Sequence, residues 1–327
     1  MRTAKTILVT GAAGFIGAHV AGQLANQGHR VVGCDNFNDY YSPALKAARV
    51  AALLRPHGVA CERVELADRA AVADLFESVR PSRVVHLAAQ AGVRYSLTHP
   101  QQYIQSNLVG FANVIECAAA ARVEHFVYAS SSSVYGDRTS TPFQEEQSTD
   151  HPVSLYAATK KANEVMAHAY SRVHGLRATG LRFFTVYGPW GRPDMAYFSF
   201  AQRIMAGQAL PVFAQGSLLR DFTYIDDVVE GVVRLALAEH HGDAATHEIF
   251  NIGNHQPVTV LHFIGVLAGL LGKEPQLNFL PMQPGDVSVT CADVSKLRER
   301  VGFEPSTTLA DGLSRFVDWF RHWNAAP

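Results

Sequence analysis

Tyr156 and Lys160 stand four residues apart in the segment YAATK. On a helix that spacing puts a phenol and an ammonium on one face. A nearby positive charge favours phenolate over phenol, and a phenolate is a competent base for a sugar hydroxyl. Such a pair is common by chance, so its surroundings decide its worth. Pro152 and Ser154 precede it as helix-start residues, and Gly175 follows as a stop. The segment YASSSSVYG places Ser131 25 residues before Tyr156, with Ser132 and Ser133 directly behind it.

A second constellation lies near the first residue. TGAAGFIG, Thr10–Gly17, carries Gly11, Gly14 and Gly17 as GxxGxxG. An apolar β-branched run precedes it, and a segment of helical spacing opens behind it with Phe15 and Ile16. Gly11 permits a tight turn, Gly14 lets backbone approach a pyrophosphate, and Gly17 lets the helix pack close to the strand. The helix N-terminus adds N–H donors and a favourable dipole for phosphate. Asp35 ends the next strand, 18 residues past Gly17. A carboxylate there accepts from both adenosine ribose hydroxyls and repels a 2′-phosphate. The residues that follow, Asn36, Phe37 and Asn38, include no arginine. The expected cofactor is NAD, whose positive nicotinamide would further lower the tyrosine pKa.

These residues need a scaffold. The first half alternates short apolar runs with helical spacing. Strands are expected at Thr6–Thr10, Arg30–Cys34, Cys61–Leu66, Arg83–Ala88 and His125–Ser130. Helices are expected at Phe15–Gln27, Ala44–Arg55 and Ala70–Val79. That alternation predicts parallel βαβ crossovers and an α/β, doubly wound parallel sheet of Rossmann type. After a strand at Ala178–Val186 the chain becomes richer in Pro and Gly, which predicts a smaller C-terminal region of mixed structure. The sequence divides into 1–182, with about 222–248 returning to it, and a substrate region of 183–221 and 249–327.

Composition narrows the partners. The chain has 327 residues, 48% hydrophobic and 17% charged, which is globular and argues against disorder. Lys plus Arg number 28 and Asp plus Glu 29, for a net charge of −1. Without a basic run, neither nucleic acid nor an anionic membrane is an expected partner. The longest apolar stretch, around VTVLHFIGVLAGLLG, is too short to span a bilayer. The first strand starts within six residues, which leaves no room for a signal peptide. Cys34, Cys61, Cys117 and Cys291 are scattered, so reduced thiols in a cytoplasmic protein are expected. The 15 histidines include no metal-ligand spacing, so no metal is expected. His240–His241 read as a solvated turn.

Ser131, Tyr156 and Lys160 in this order, behind the glycine loop, resemble the extended short-chain dehydrogenase/reductase superfamily. The resemblance covers nearly the whole chain. It includes HLAAQAGVRYS at His86–Ser96, Asn107 in SNLVG and RDFTYIDDV at Arg220–Val228. It implies that Ser131 binds the reacting hydroxyl, Tyr156 is the acid/base and Lys160 holds the nicotinamide ribose. It implies further NAD contacts at Leu87, Ala88, Ala89, Gln90 and Asn107. The family's Asp plus apolar pair at the third strand is Glu65–Leu66 here, one methylene longer.

The resemblance also separates reactions. Dehydratases of this superfamily resemble T-D-E-V-Y-G beside the serine, and decarboxylases T-S-E-V-Y-G. Here those positions are Ser132 and Ser133, so elimination lacks its acids, and oxidation with re-reduction remains. The string RFFTVYGPWGRPDMA, Arg182–Ala196, closely resembles UDP-glucuronate 4-epimerases, with Thr185 where UDP-galactose epimerases have Asn. A 4-keto uronic acid is a β-keto acid and loses CO₂ when its C5–C6 bond aligns with the carbonyl π system. Ser132, Ser133 and Thr185 could hold the carboxylate out of alignment by neutral hydrogen bonds. Arg220 resembles the family's phosphate-binding arginine, Val212–Phe213 resemble the segment bordering uracil, and Asp286 resembles the carboxylate on the uridine ribose. Gln283 stands where relatives have arginine, which makes Arg192 the candidate for the missing phosphate contact. Homodimers through helices near Gln101–Ala121 and Leu155–His174 are implied. Alternatives are an epimerase of another UDP-sugar, an oxidoreductase releasing NADH, and a catalytically dead NAD-binding regulator.

Overall fold

The alternation of Ile7 and Val9 with Leu8 gives the first strand two apolar faces, and the sheet it joins is covered on both. The computed structural model describes residues 4–239, 246–282 and 287–325. In chain order the strands are β1 Thr6–Thr10, β2 Arg30–Asp35, β3 Ala60–Arg63, β4 Arg83–His86, β5 His125–Ser131, β6 Ala178–Phe183, β7 Thr185–Tyr187, β8 Leu210–Phe213, β9 Leu219–Arg220, β10 Phe222–Tyr224, β11 His247–Ile252, β12 Val258–Thr259 and β13 Leu277–Leu280. Seven of them form one parallel sheet in the order β11-β6-β5-β4-β1-β2-β3. The order reverses between β1 and β4, where a doubly wound sheet opens a crevice beyond its strand ends.

One apolar core holds Ile7, Val9 and Val85 with the helices Phe15–Asn26 and Ile225–Leu237. The other holds Leu8, Val84 and Phe126 with the helices Arg69–Val79, Gly110–Ala120 and Leu155–His174. Ile225–Leu237 packs on Phe15–Asn26, and β11 extends the sheet beside β6. The remaining strands pair two by two, as β10-β7, β12-β9 and β13-β8.

Four expected elements differ. The third strand stops at Arg63 rather than Leu66: it is a short edge strand with little burial, and Glu65 and Leu66 already belong to the turn that caps the next helix. The fourth stops at His86, leaving Leu87 and Ala88 in the loop beyond. Ala44–Arg55 is an α-helix to Arg49 that loosens to a π-turn and tightens to 3₁₀ before Gly58. Ala178–Val186 is two strands, because Phe184 bonds to Ile252 and the chain steps from the large sheet to β10. Residues 240–245 and 283–286, with His240, His241, Gln283 and Asp286, lie outside the described residues.

Candidate active site

The turn after β1 is built by glycine. Gly11 has φ +70°, and a Cβ on it would lie 2.7 Å from the Ala88 backbone. A Cβ on Gly17 would lie 2.0 Å from the Gly11 carbonyl. Gly14 begins the helix Phe15–Asn26 without a side-chain cap, which leaves its first N–H groups for an anion. A cavity of about 410 Å³ opens at this turn, within the usual range for a small-molecule site. It runs past Asp35, Asn36, Asn38, Glu65 and Leu66 at one end, along Leu87–Gln90, and to Ser131, Ser132, Ser133, Tyr156, Lys160, Thr185 and Arg192 at the other. A cradle that any Cβ would fill, next to a carboxylate at the end of β2, fits a dinucleotide.

At the first end, Asp35 accepts from the Phe37 N–H at 2.8 Å, which curls the chain away from the strand. Asn36 donates to Glu65 at 2.8 Å, so the two rim residues fix each other. The sequence reading missed Lys46. It is 4% exposed, lies 3.6 Å from Asp35 and donates to Asn38 at 2.8 Å. Its signal was the third turn position of ALKAAR, indistinguishable in sequence from any helical lysine. Asn107 does not line the cavity. Its amide donates to Gln90 and Thr159, and its oxygen accepts from the Gln90 N–H, so it holds the loop that does.

At the other end, Ser154 caps the helix Leu155–His174 by accepting from Ala157, and Gly175 at φ +68° closes it. Tyr156, Lys160 and Glu164 repeat at four-residue spacing along this helix. Glu164 anchors it by accepting from Ser130 at 2.7 Å and holding Arg182 at 2.9 Å through both oxygens. Lys160 is 2% exposed and donates to the Ala129 carbonyl at 2.9 Å. Burial lowers it to about 7. Ser131 Oγ donates to Ser133 Oγ at 3.1 Å and accepts from the Ser133 N–H.

Tyr156 corrects an expectation. Its pKa is raised, because burial outweighs its hydrogen bond with Ser131 and the positive Arg192, which both act to lower it. The protein groups alone favour phenol, with Ser131 and Arg192 as the counterweight. Behind the site His86 shares a hydrogen bond with Thr10 Oγ1 at 2.8 Å, and burial and Lys160 lower it to about 3. It is neutral and structural.

Arg192 lines the cavity and is gripped by Asp194 through both carboxylate oxygens, with Nε at 3.0 Å. Tyr40 donates to the same carboxylate at 3.1 Å. Neither partner was read from sequence. Val212, Phe213 and Arg220 are not brought to the cavity wall. Val212 is fully buried in β8, Phe213 lies under Arg94 at 5.1 Å, and Arg220 bonds to the Leu219 carbonyl. Asp286 is outside the described residues.

Residues 7–253 match the NAD dependent epimerase/dehydratase family. UDP-glucuronate 4-epimerase 3 of Arabidopsis thaliana is 47% identical over 332 residues, covering 98% of this chain and 77% of the relative. The UDP-glucuronic acid 4-epimerase of Bacillus cereus, solved with UDP-glucuronic acid and NAD, superposes with a TM-score of 0.89 at 32% identity, over 97% of this chain and 99% of the other. A UDP-glucose 4-epimerase of Thermotoga maritima, solved with UDP-glucose, superposes at 0.87 with 30% identity, over 97% and 99%. With a glycine cradle, a carboxylate at the end of β2 and a Ser-Tyr-Lys set on one cavity, the chain belongs to the NAD-dependent epimerase/dehydratase family.

Proposed function

We propose that this chain is a UDP-glucuronate 4-epimerase that interconverts UDP-glucuronate and UDP-galacturonate through a 4-keto sugar. The observation that carries the reading is the wall around Tyr156. Ser131, Ser132, Ser133 and Thr185 line it with hydroxyls, and the carboxylates among the lining residues lie elsewhere, Asp35 at the end of β2 and Glu65 just beyond β3. Elimination at C5–C6 needs an acid or base beside the sugar. Epimerisation needs only Tyr156 and groups that hold a carboxylate still.

Bound NAD supplies the oxidising and reducing equivalents at C4. Gly11, Gly14, Phe15, Ile16, Gly17, Asp35, Asn36, Asn38, Glu65, Leu66 and Leu87–Gln90 would hold it, with Lys160 on the nicotinamide ribose. Tyr156 takes the proton of the 4-hydroxyl and returns it on the other face. Ser131 positions that hydroxyl, and its bond to Tyr156 favours the phenolate during transfer. Ser132, Ser133 and Thr185 keep the carboxylate out of line with the ketone. The sugar must turn over, so the anchor has to be UDP, through Arg192 and, in the same proposal, Val212, Phe213, Arg220 and Asp286.

The division into a cofactor part, 1–182 with about 222–248, and a UDP-sugar part, 183–221 with 249–327, belongs to this proposal. So do a cytoplasmic location, which the four free thiols support, and a homodimer. Val165 and Val173 on the helix Leu155–His174 are 57% and 75% exposed, apolar surface that a helix–helix dimer would cover. Among the described residues no helix is long and apolar enough to cross a membrane. The likeness to the Thermotoga UDP-glucose epimerase sustains one second reading, the UDP-galactose branch. Comparing kcat/KM on UDP-glucuronate and UDP-glucose separates them. The proposal expects a preference of at least a hundredfold for the uronic acid, and equal rates would return the chain to the neutral-sugar branch.

A further inference from the structure

Arg49 ends the helix Pro43–Arg49 and is wholly buried. Its guanidinium ties two loops that belong to opposite sides of the cavity. Nε donates to the Trp190 carbonyl at 2.8 Å and Nη2 to the Gly191 carbonyl at 3.0 Å. Nη1 donates to the Ala13 carbonyl at 3.1 Å and to the Tyr41 hydroxyl at 2.6 Å. Ala13 lies inside the glycine turn that cradles the cofactor. Trp190 and Gly191 lead directly into Arg192. The planar fork of an arginine can bridge such a set, and a lysine cannot.

The turn it holds would not keep its shape unaided. Trp190 sits at φ +64°, a region where a non-glycine residue persists only when its surroundings fix it. A Cβ on Gly191 would collide with the Tyr197 hydroxyl. The Trp190 ring packs on Trp319 and Trp323 at 5.3 and 5.7 Å. The bond from Tyr40 to Asp194 makes a second tie between the same two sides. Each acceptor of Arg49 is a neutral oxygen of one of the two loops, so its guanidinium is spent on joining them.

We infer that Arg49 is a cofactor-retention residue: it locks the Trp190–Arg192 turn onto the glycine loop, so that the dinucleotide leaves only when this clasp opens. An enzyme that oxidises and then re-reduces one sugar must not lose reduced cofactor between the two steps. Arg49 is thereby a positioning residue, acting on the reaction through Ala13 and Arg192. The inference rests on NAD as cofactor, and it stands whichever UDP-sugar is the substrate.

The test uses NAD-loaded enzyme with Arg49→Met and Arg49→Lys. The dissociation rate of bound NAD is read after gel filtration and dilution, beside activity with and without added NAD. Tryptophan emission gives an independent readout, because the three tryptophans of the chain form this one cluster. Arg49→Met should release NAD at least tenfold faster, recover activity when NAD is added in excess, and shift the tryptophan emission. Arg49→Lys should fall between it and the parent. Release within twofold of the parent, or activity lost and not restored by NAD, overturns the inference. Tyr41→Phe keeps the ring and removes one oxygen that Arg49 binds. If Arg49→Met does not fold, this variant decides: about threefold faster release supports the clasp, and an unchanged rate overturns it. Release is measured without any sugar, so a failed substrate assignment and a failed clasp are told apart.

Discussion

Lys160 donates to the carbonyl of Ala129 at 2.9 Å, tying the helix that carries Tyr156 to the strand that ends in Ser131. The hydroxyls of Ser131 and Tyr156 therefore come from different elements but share one rigid junction. Glu164, one turn further on, repeats the tie through Ser130 and Arg182. Such a junction leaves the Tyr156 phenol little freedom to relax, and under the proposed mechanism its loss should be hard to replace.

Tyr156→Phe should lower turnover by a factor of ~10²–10⁴, the scale of general acid–base groups, with UDP affinity nearly unchanged. The substitution removes a proton-transfer group and little contact area. Steady-state kinetics with UDP-binding calorimetry checks it. Retention of more than about a tenth of the rate would mean that another residue moves the proton.

Thr185→Val keeps side-chain shape and deletes one cavity hydroxyl. If that hydroxyl restrains the sugar carboxylate, the 4-keto intermediate should partly lose CO₂ before it is reduced. Mass spectrometry over a time course should then show UDP-4-keto-pentose or UDP-xylose beside UDP-galacturonate. A slower variant with an unchanged product ratio would remove Thr185 from this role.

Asp35 and the buried Lys46 form an ion pair at the β2 end of the cavity, where the proposal places the adenosine. The parent protein should bind NAD more tightly than NADP, because a 2′-phosphate would meet the Asp35 carboxylate. Asp35→Asn leaves Lys46 without its carboxylate, so the preference should shrink by roughly tenfold, about 1.4 kcal/mol. Calorimetry on stripped protein measures both affinities. Tighter binding of NADP by the parent would contradict the cofactor assignment.

Acid should destabilise the fold through histidines that are buried neutral. Burial lowers His86 to about 3, and His19 and His247 to about 4. Between those values and the ordinary 6.5, the unfolded chain binds more protons than the native one. Stability is thus fully present above about 6.5 and is lost as pH falls toward 4. Thermal scans should show a midpoint lower by roughly 5 °C or more at pH 4.5 than at pH 6.5. His247→Gln, which spares the cavity, should flatten the dependence. A midpoint independent of pH over this range would mean that these rings titrate normally.

The glycine triplet, Asp35 and the Ser-Tyr-Lys order were legible because each demands a residue type at a fixed distance from a strand or helix end. Gly17 can be nothing larger under the Gly11 carbonyl, and Ser154 and Gly175 mark a helix by capping chemistry. What was not legible depends on packing between distant segments. The step from β6 to β7 leaves no trace in an apolar run from Ala178 to Val186, since both halves are buried in different sheets. Lys46 and Arg49 look like ordinary surface charges in sequence, and only the packing of distant segments buries them; Asp194 gives no sign in sequence that it grips Arg192. The direction of the Tyr156 shift was misread for the same reason: pair spacing shows a neighbouring charge but not the desolvation that opposes it.

The most direct test of the central claim follows the hydrogen at C4. Purified protein is incubated with UDP-glucuronate deuterated at C4, without added NAD, and the separated UDP-uronic acids are weighed by mass spectrometry. The account predicts UDP-galacturonate with the deuterium retained at C4 and no stoichiometric NADH set free. Product that has exchanged its C4 label with solvent, or oxidised sugar accumulating only when NAD is supplied, would contradict it.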